Sequence, residues 1–346
     1  MNPLTWFLLI TSLTTSTTIT MASNHWLLAW LSLELNTLSI LPMMMKSPHP
    51  RMVEATTKYF IIQATAAASI LFASTVNAWQ TGHWSIINTT TTLTTTIATI
   101  AIMLKLGIAP THLWYPEILQ GVPLYTAMLI STWQKLAPLA LLFMMHGNLN
   151  PTLLLTLATI STIMGGWTGL NQTQTRKILA FSSIAHMGWL LTALTLNQPL
   201  TTLTMTIYLI TTTAMFTAFA TTTTKTIHDT GTAWTTTPTL VMTMMIILMS
   251  LGGLPPLTGF LPKWLIIKDL ASMHLLPLST TLLMASLPSL FFYTRLAYLT
   301  MLTNPPTTTN MKLKWRFHTP LSPTTTLTLT LAVLLLPMTA SMHNTT

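Results

Sequence analysis

The amino-acid sequence predicts an all-α polytopic membrane protein. Of its 346 residues, 50% are hydrophobic and only 5% are charged, and the mean hydropathy is +0.59. A typical soluble domain has about 25% charged residues, so this chain lacks the polar side chains that would cover a water-facing surface. Apolar stretches long enough to cross a bilayer core, roughly 20 residues for about 30 Å, recur along the sequence. These observations exclude the soluble enzyme folds.

About eleven transmembrane helices are predicted between the polar or proline-rich breaks. They cover residues 3–21, 25–45, 58–79, 89–120, 124–146, 152–170, 178–196, 200–224, 238–270, 275–301 and 323–342. The fourth and ninth spans each contain an internal break. We expect a single membrane domain over 1–346, with one five-helix repeat at 1–146 and a second at 150–301. A basic loop and the final helix follow at 302–346.

The basic residues predict the orientation of these helices. Loops after the even-numbered spans carry a net charge of +7, and the opposite side carries only Lys268 and Asp269. The residues on the basic side are Lys46, Arg51, Glu54, Lys58, Glu117, Arg176, Lys177, Lys225, Asp229, Arg295, Lys312, Lys314 and Arg316. By the positive-inside rule, the N-terminus faces the cytoplasm or its organellar equivalent, and an odd helix number puts the C-terminus opposite. The positive charge therefore indicates membrane topology and no nucleic-acid partner.

The absence of Cys limits the chemistry that the chain can perform. Without Cys there are no disulfides, no thiolate catalysis, no zinc-thiolate sites and no Cys-ligated iron–sulfur clusters. The sequence also has no Gly-rich dinucleotide fingerprint, so we expect it to bind no cofactor and no metal. No Lys or Arg precedes Lys46, and the first apolar run is therefore expected to be a retained span rather than a targeting peptide.

Four charged residues fall inside apolar spans: Glu34, Lys105, Lys135 and Lys263. A charge near the centre of a membrane helix costs about 2.5–3.5 kcal/mol unless it is paired or hydrated. One explanation is a helix–helix ion pair between Glu34 and one lysine that only fixes packing. Buried ion pairs stabilise proteins poorly, however, and a single carboxylate would leave two of the three lysines unpaired. The alternative is a proton or ion path, in which burial favours a neutral lysine and a nearby Glu favours a charged one.

Two His residues also lie at mid-membrane depth and are candidate relay residues, His112 and His186. A single His in a helix is more often a hydrogen-bonded packing residue than a relay.

The two helix breaks are marked by Gly and Pro at residues 107–110 and 252–259. Pro removes a backbone donor, and Gly loosens the helix. Freed carbonyls at membrane depth are tolerated where they line a wet or protein-buried cavity, as in transporters. Because each break falls on the fourth helix of a five-helix unit, the sequence predicts two inverted repeats.

Three segments resemble the antiporter-like subunits of respiratory complex I: 110–117 (PTHLWYPE), 176–188 (RKILAFSSIAHMG) and 253–260 (GLPPLTGF). The resemblance implies that Glu34 and Lys105 match the Glu–Lys pair of that family and that Lys135 matches its central basic residue. Lys263 matches the Lys of the second broken helix. His112 and His186 match further positions of the hydrophilic axis, less firmly.

This resemblance implies a proton-translocating membrane subunit of an NADH:ubiquinone oxidoreductase, without a redox centre of its own. NAD, FMN, iron–sulfur clusters and ubiquinone would belong to partner subunits, and the expected partners are other complex I subunits and lipids. The start Met-Asn-Pro and the lack of Cys resemble family members made inside animal mitochondria. We therefore expect a multi-pass protein of the mitochondrial inner membrane, with the N-terminus on the matrix side and the C-terminus on the intermembrane side.

The primary hypothesis is that Glu34 changes the field at Lys105, which exchanges a proton with Lys135, and that water and His186 lead on to Lys263. One alternative is a self-sufficient secondary sodium/proton antiporter, which broken helices in inverted repeats permit equally well. Another is a structural membrane subunit that only holds its neighbours together.

Overall fold

A computed structural model of the chain describes residues 2–46, 49–89, 91–235, 237–301, 323–337 and 339, which fold mainly as helices. The helices are α1 (Pro3–Ala22), α2 (Trp26–Met44), α3 (Pro50–Thr81), α4 (Thr92–Leu106), α5 (Trp114–Gly121), α6 (Leu124–Ser131), α7 (Leu136–Met144), α8 (Pro151–Gly169), α9 (Thr175–Leu196), α10 (Gln198–Thr222), α11 (Ile227–Thr232), α12 (Pro238–Gly252), α13 (Phe260–Ser272), α14 (Leu276–Thr300) and α15 (Pro323–Leu334). The predicted basic loop with Lys312, Lys314 and Arg316 lies outside the described residues.

Within the described residues, six stretches are long and apolar enough to cross a membrane: Trp26–Met44, Pro50–Thr81, Leu124–Met144, Thr175–Leu196, Gln198–Thr222 and Leu276–Thr300. Three shorter apolar helices are α4, α12 and α15. The multi-pass helical fold is therefore confirmed, whereas the count of eleven spans stays a prediction.

The chain forms two compact units, Met1–Leu157 and Ala158–Thr346, and the boundary lies within α8. In the first unit, α1 packs on α2 and α3 packs on α4, and Trp26, Leu33 and Ile40 of α2 are almost fully buried. In the second unit, α12 packs on α14 and α9 packs on α10. The division into five-helix repeats at 1–146 and 150–301 stays a prediction.

Several charges assigned to loops lie in helices instead. α3 begins at Pro50 rather than at residue 58, because Pro suits the first helical position and the His49 ring accepts a hydrogen bond from Arg51 N at 3.2 Å. Arg295 lies within α14, where its guanidinium donates to the Leu170 carbonyl at 3.1 Å. α3 therefore extends beyond the predicted span 58–79 at its N-terminal end, since exposed charges near a membrane surface are compatible with a helical turn.

The many Thr residues hydrogen-bond to their own helices. Thr17 Oγ1 donates to the Thr14 carbonyl at 2.8 Å in α1, and Thr211 Oγ1 donates to the Ile207 carbonyl at 2.8 Å in α10. Because these hydroxyls find acceptors one turn back, such helices do not need outside partners for them. Threonine-rich segments can therefore lie in lipid.

The two predicted breaks are present, and α4 and α12 end in the same backbone motif. After α4, Gly107 has a φ of 71°, and Ile108 N–H donates to the Met103 carbonyl at 3.1 Å. After α12, Gly253 has a φ of 86°, and Leu254 N–H donates to the Met249 carbonyl at 3.3 Å. Both are Schellman motifs, in which a left-handed Gly stops the helix.

Aligning the two stop glycines aligns the segments that follow, GIAPTHLWYPE at 107–117 and GLPPLTGFLPK at 253–263. Two prolines match in this register, and Glu117 falls at the position of Lys263. The breaks are therefore related in sequence as well as in backbone, but the charged residue after the second proline has opposite sign in the two units.

The predicted span 124–146 is interrupted too, which the sequence patterns did not anticipate. Between α6 and α7, a 3₁₀ turn covers Trp133–Lys135. Its cause is local, since Pro138 has no N–H to donate to the Gln134 carbonyl one turn back. Lys135 therefore lies on a turn within the span rather than in a continuous α-helix.

Candidate functional site

Lys105 and Lys135 line one small cavity in the first unit, which we call cavity A. Its volume is about 10 Å³. The polar residues that line it with the two lysines are Asn36, Thr37, Tyr59, Gln63 and Gln134. Lys105 is 6% exposed and Lys135 is 3% exposed, so both lysines are shielded from bulk solvent. The structure thus brings together two of the four predicted charges.

Lys105 lies in the last turn of α4, directly before the break. Its Nζ is buried and has no hydrogen-bond partner among the described residues, while its carbonyl accepts from Gln63 Nε2 at 3.4 Å. A helix C-terminus attracts positive charge because its last carbonyls carry partial negative charge. The break therefore places a cation where the helix end favours it, beside a cavity.

Lys135 is held against an aromatic ring. Its Nζ lies 4.9 Å from the centroid of the Tyr115 ring, and Tyr115 belongs to α5, the helix that follows the first break. A cation over an aromatic face is stabilised by the ring quadrupole, by about 2 kcal/mol when desolvated. The first break therefore contributes to the surroundings of both lysines.

Glu34 is half-buried on α2 and lies outside the lining of cavity A. Its Oε2 accepts a hydrogen bond from Thr37 Oγ1 at 3.2 Å, and Thr37 does line the cavity. Among the described residues, Glu34 forms no ion pair within 4.0 Å. The packing ion pair considered from the sequence is therefore not formed in the described part of the chain.

The second unit has its own cavity, called cavity B, with a volume of about 30 Å³ and with His186 and Lys263 in its lining. Lys263 Nζ donates to the Gly252 carbonyl at 3.0 Å, and it lies 6.0 Å from the centroid of the Trp189 ring. Lys263 on α13 thus reaches back across the break to the C-terminal end of α12. A Cβ at Gly253 would lie 2.9 Å from this Nζ, so the stop glycine also makes room for the ammonium.

His186 contacts two buried tyrosines. Its Nε2 lies 3.4 Å from Tyr293 Oη, and its ring centroid is 5.8 Å from that of Tyr208. Neither tyrosine was predicted from the sequence, although a Tyr in the middle of an apolar helix is a signal that a polar partner lies nearby. The packing role considered for His186 and the relay role both agree with these contacts.

His112 is 2% exposed and follows the first break, but it lies outside the lining of both cavities. Neither ring nitrogen makes a hydrogen bond of ordinary geometry with a described group. The structure therefore does not bring His112 together with Lys105 and Lys135.

Ion pairs at the surface link α5, the helix after the first break, to α3. Lys58 Nζ on α3 lies 2.7 Å from Glu54 Oε1 and 2.8 Å from Glu117 Oε2 on α5. Close packing assists this link, since a Cβ at Gly121 would lie 2.7 Å from the Ala55 Cβ. The helix that carries Tyr115 is therefore fixed to α3.

Within the described ranges, no group of three His, Asp or Glu side chains is arranged to hold a metal ion. Broken helices with buried ionisable residues beside them define a class of membrane protein, the transporters built on discontinuous helices.

Comparison with known proteins identifies the family. Residues 23–289 match the model described as NADH:quinone oxidoreductase/Mrp antiporter, TM, and residues 290–343 match NADH dehydrogenase subunit 2 C-terminus. NADH-ubiquinone oxidoreductase chain 2 of Xenopus laevis is 51% identical over 97% of this chain and 96% of its own length. The Carassius auratus protein of the same name is 51% identical over 98% of each chain.

Solved structures share the fold. A chain of respiratory complex I from Thermus thermophilus has a TM-score of 0.82 at 24% identity, over 96% of this chain and 79% of that chain. A chain of the Mrp complex from Dietzia has a TM-score of 0.78 at 16% identity, over 86% of this chain and 60% of that one. With the relatives at about half identity, these findings show that the chain belongs to the NADH-ubiquinone oxidoreductase chain 2 family, within the antiporter-like membrane subunits.

Proposed function

We propose that the chain moves protons across the membrane by passing them between buried charges beside its helix breaks. As a member of its family, the chain is a proton-translocating membrane subunit of NADH:ubiquinone oxidoreductase. The route that the proton takes through its side chains is what we propose. One observation carries the proposal: in each unit, a buried or partly buried lysine next to a break lines a cavity that holds further ionisable groups. The proposed residues are Glu34, Lys105, Lys135 and Lys263, with His186 as a relay and His112 as a weaker candidate.

In the first unit, the proton moves between two lysines. A protonated Lys105 releases one proton into cavity A, and the neutral amine of Lys135 takes one up, so the two side chains carry the same number of protons before and after. The negative charge of Glu34 favours a protonated Lys105, because opposite charges attract strongly where the effective dielectric constant is low. A change at Glu34 therefore alters the direction in which the proton moves.

In the second unit, Lys263 is held by a carbonyl that favours its charged form. When the ammonium loses a proton, the charge-assisted hydrogen bond to Gly252 weakens, and the amine can turn into cavity B. His186 lines the same cavity and can accept a proton at one ring nitrogen while it keeps a hydrogen on the other. The order of proton transfer, from Lys135 through His186 to Lys263, is the one that the family resemblance implies.

The energy comes from redox chemistry in partner subunits. We propose that NAD, FMN, iron–sulfur clusters and ubiquinone are bound there, and that this chain contacts membrane-arm subunits and lipids. The proposed location is the mitochondrial inner membrane, with the N-terminus on the matrix side.

The proposal is tested in the intact complex, in sealed membrane vesicles that oxidise NADH. Glu34→Gln, Lys105→Met and Lys135→Met are expected to abolish or strongly slow proton pumping while the complex still assembles. The exposed Lys46 is the matched control, and Lys46→Met is expected to pump normally. Normal pumping by all three buried variants would instead support a purely structural subunit.

A free sodium/proton antiporter is the second candidate, because the Mrp complex chain shares the fold. It predicts that the purified chain in liposomes exchanges sodium for protons without other subunits. The proposed function predicts no exchange by the chain alone.

A further inference from the structure

Cavity A contains a pair of uncharged amides that the proton path above does not use. Gln134 Nε2 donates to Asn36 Oδ1 at 3.0 Å, and Gln134 Oε1 accepts from Tyr59 Oη at 3.5 Å. Asn36 and Tyr59 are each 2% exposed, and all three side chains line the same cavity as the two lysines. The pair joins α2 to the 3₁₀ turn across 98 residues of sequence.

Lys105 Nζ is not hydrogen-bonded to Lys135 Nζ, so a proton that passes between these two side chains needs an intermediate group. An ammonium has three hydrogen-bond donors and no acceptor, so a protonated Lys105 requires an acceptor that can also donate to Lys135. A side-chain amide does not ionise near neutral pH, but its oxygen has two lone pairs and its nitrogen has two hydrogens. The Asn36 and Gln134 amides can therefore orient a water molecule without holding the proton themselves.

The size of cavity A fits this role. A volume of about 10 Å³ corresponds to roughly one water molecule, which needs two to four polar partners in a buried site. The amide oxygens supply acceptors, and Lys105 Nζ supplies a donor that has no other described hydrogen-bond partner. The cavity is thus large enough and polar enough for a single bridging water.

We propose that the Asn36–Gln134 pair positions a water molecule through which Lys105 and Lys135 exchange protons. In the transfer, the Lys105 ammonium gives one proton to the oxygen of this water, and the same water gives one of its hydrogens to the neutral amine of Lys135. The water is regenerated, both amides keep their hydrogens, and the net change is one proton moved from Lys105 to Lys135. This inference rests on the proposed function and adds two positioning residues to it.

The position of Gln134 strengthens the assignment. Gln134 directly precedes Lys135 on the 3₁₀ turn that Pro138 imposes, so the amide and the amine are held by the same short segment. On α2, Asn36 neighbours Thr37, whose hydroxyl donates to the Glu34 carboxylate. The pair therefore links the α2 segment that carries the proposed control residue, Glu34, to the turn that carries the proposed acceptor, Lys135.

The test removes the hydrogen-bonding groups and keeps the side-chain volumes. Gln134→Met, Asn36→Leu and the double variant are assembled into the intact complex, and pumping per assembled complex is measured in H₂O and in D₂O. Gln172→Met is the matched control, because Gln172 lines neither cavity and donates to the Thr168 carbonyl. Lys105→Met and Lys135→Met are measured in parallel.

Each single variant is expected to pump about 10- to 100-fold more slowly, as expected for a misplaced reacting group. The double variant should be no slower than the singles, because both changes remove one water, and the solvent isotope effect should rise as proton transfer becomes rate-limiting. Gln172→Met should match the native protein in all respects.

Native rates in Gln134→Met and Asn36→Leu, with pumping lost in both lysine variants, would overturn this inference and leave the proposed function standing. Native rates in the lysine variants would overturn both. If Gln134→Met assembles poorly, the rate per assembled complex in Asn36→Leu decides.

Discussion

The glycine that stops α12 offers a sharp test of the second unit, through Gly253→Ala. A Cβ there would lie 2.9 Å from Lys263 Nζ, and the φ of 86° is in the left-handed region. The backbone cost for a non-glycine residue is about 1–2 kcal/mol. Displacing the ammonium also removes its 3.0 Å hydrogen bond to the Gly252 carbonyl, and a hydrogen bond with a charged partner contributes about 1.5–3 kcal/mol.

Gly82→Ala is a closely matched control. Gly82 has a φ of 74°, and no described atom lies within 4 Å of the added Cβ. Gly82→Ala therefore has a backbone cost similar to that of Gly253→Ala, but its added Cβ meets no neighbouring atom. The difference between the two variants isolates the Lys263 interaction, and 1.5–3 kcal/mol corresponds to a population about 10- to 150-fold lower for the bound ammonium.

The assay is proton pumping in sealed vesicles, together with the temperature at which the assembled complex loses activity. Both variants should lower that temperature, and Gly253→Ala should lower it more. Only Gly253→Ala should slow pumping, by about tenfold or more if the bound ammonium is the working state. Equal pumping in the two variants would refute the role given to the Lys263–Gly252 contact.

Three further substitutions have defined expectations. Lys58→Met removes exposed ion pairs to Glu54 and Glu117 and should lower thermal stability only slightly, because solvent and salt screen such pairs; thermal unfolding at low and high salt would measure the difference. Tyr293→Phe removes the 3.4 Å contact to His186 and should cost about 0.5–1.5 kcal/mol, with slower pumping if His186 is a relay and unchanged pumping if it only packs. Partial burial opposes the charge of the Asp229 carboxylate, but backbone N–H groups at the start of α11 outweigh this and hold its pKa below its usual range. Because the pKa of Asp229 is lower in the folded state, this carboxylate stabilises the fold above its unfolded-state pKa of about 3.9. That stability is lost as the pH falls through the folded-state pKa. Asp229→Asn should therefore make the free energy of unfolding depend less on pH in this acidic range.

The helix breaks could be predicted from the sequence because their causes are local. Gly107 and Gly253 stop helices through their own backbone conformation, and the prolines that follow them lack donors. The interruption at Lys135 has an equally local cause in Pro138, but the predicted span 124–146 contains no break. A proline three residues after a buried charge is the signal that could have revealed it.

Other features depend on contacts between distant parts of the chain. The Asn36–Gln134 bond joins residues 98 positions apart, and no periodicity marks either residue. The aromatic partner of Lys135 comes from α5, on the far side of a break. The charged residues could be identified from the sequence because a charge inside an apolar span has a large free-energy cost. Their uncharged partners have a much smaller cost in a membrane helix. Their role becomes visible only when the fold places them in the same cavity.

Two lysines on α13 allow a matched test of the role proposed for the lysines beside the cavities. Lys263 lines cavity B, whereas Lys268 is exposed on the same helix. Proton pumping driven by NADH oxidation is measured in sealed vesicles for Lys263→Met and Lys268→Met at equal amounts of assembled complex. We predict that Lys263→Met loses pumping and that Lys268→Met retains it. Native pumping in Lys263→Met would contradict a role for Lys263 in proton transfer.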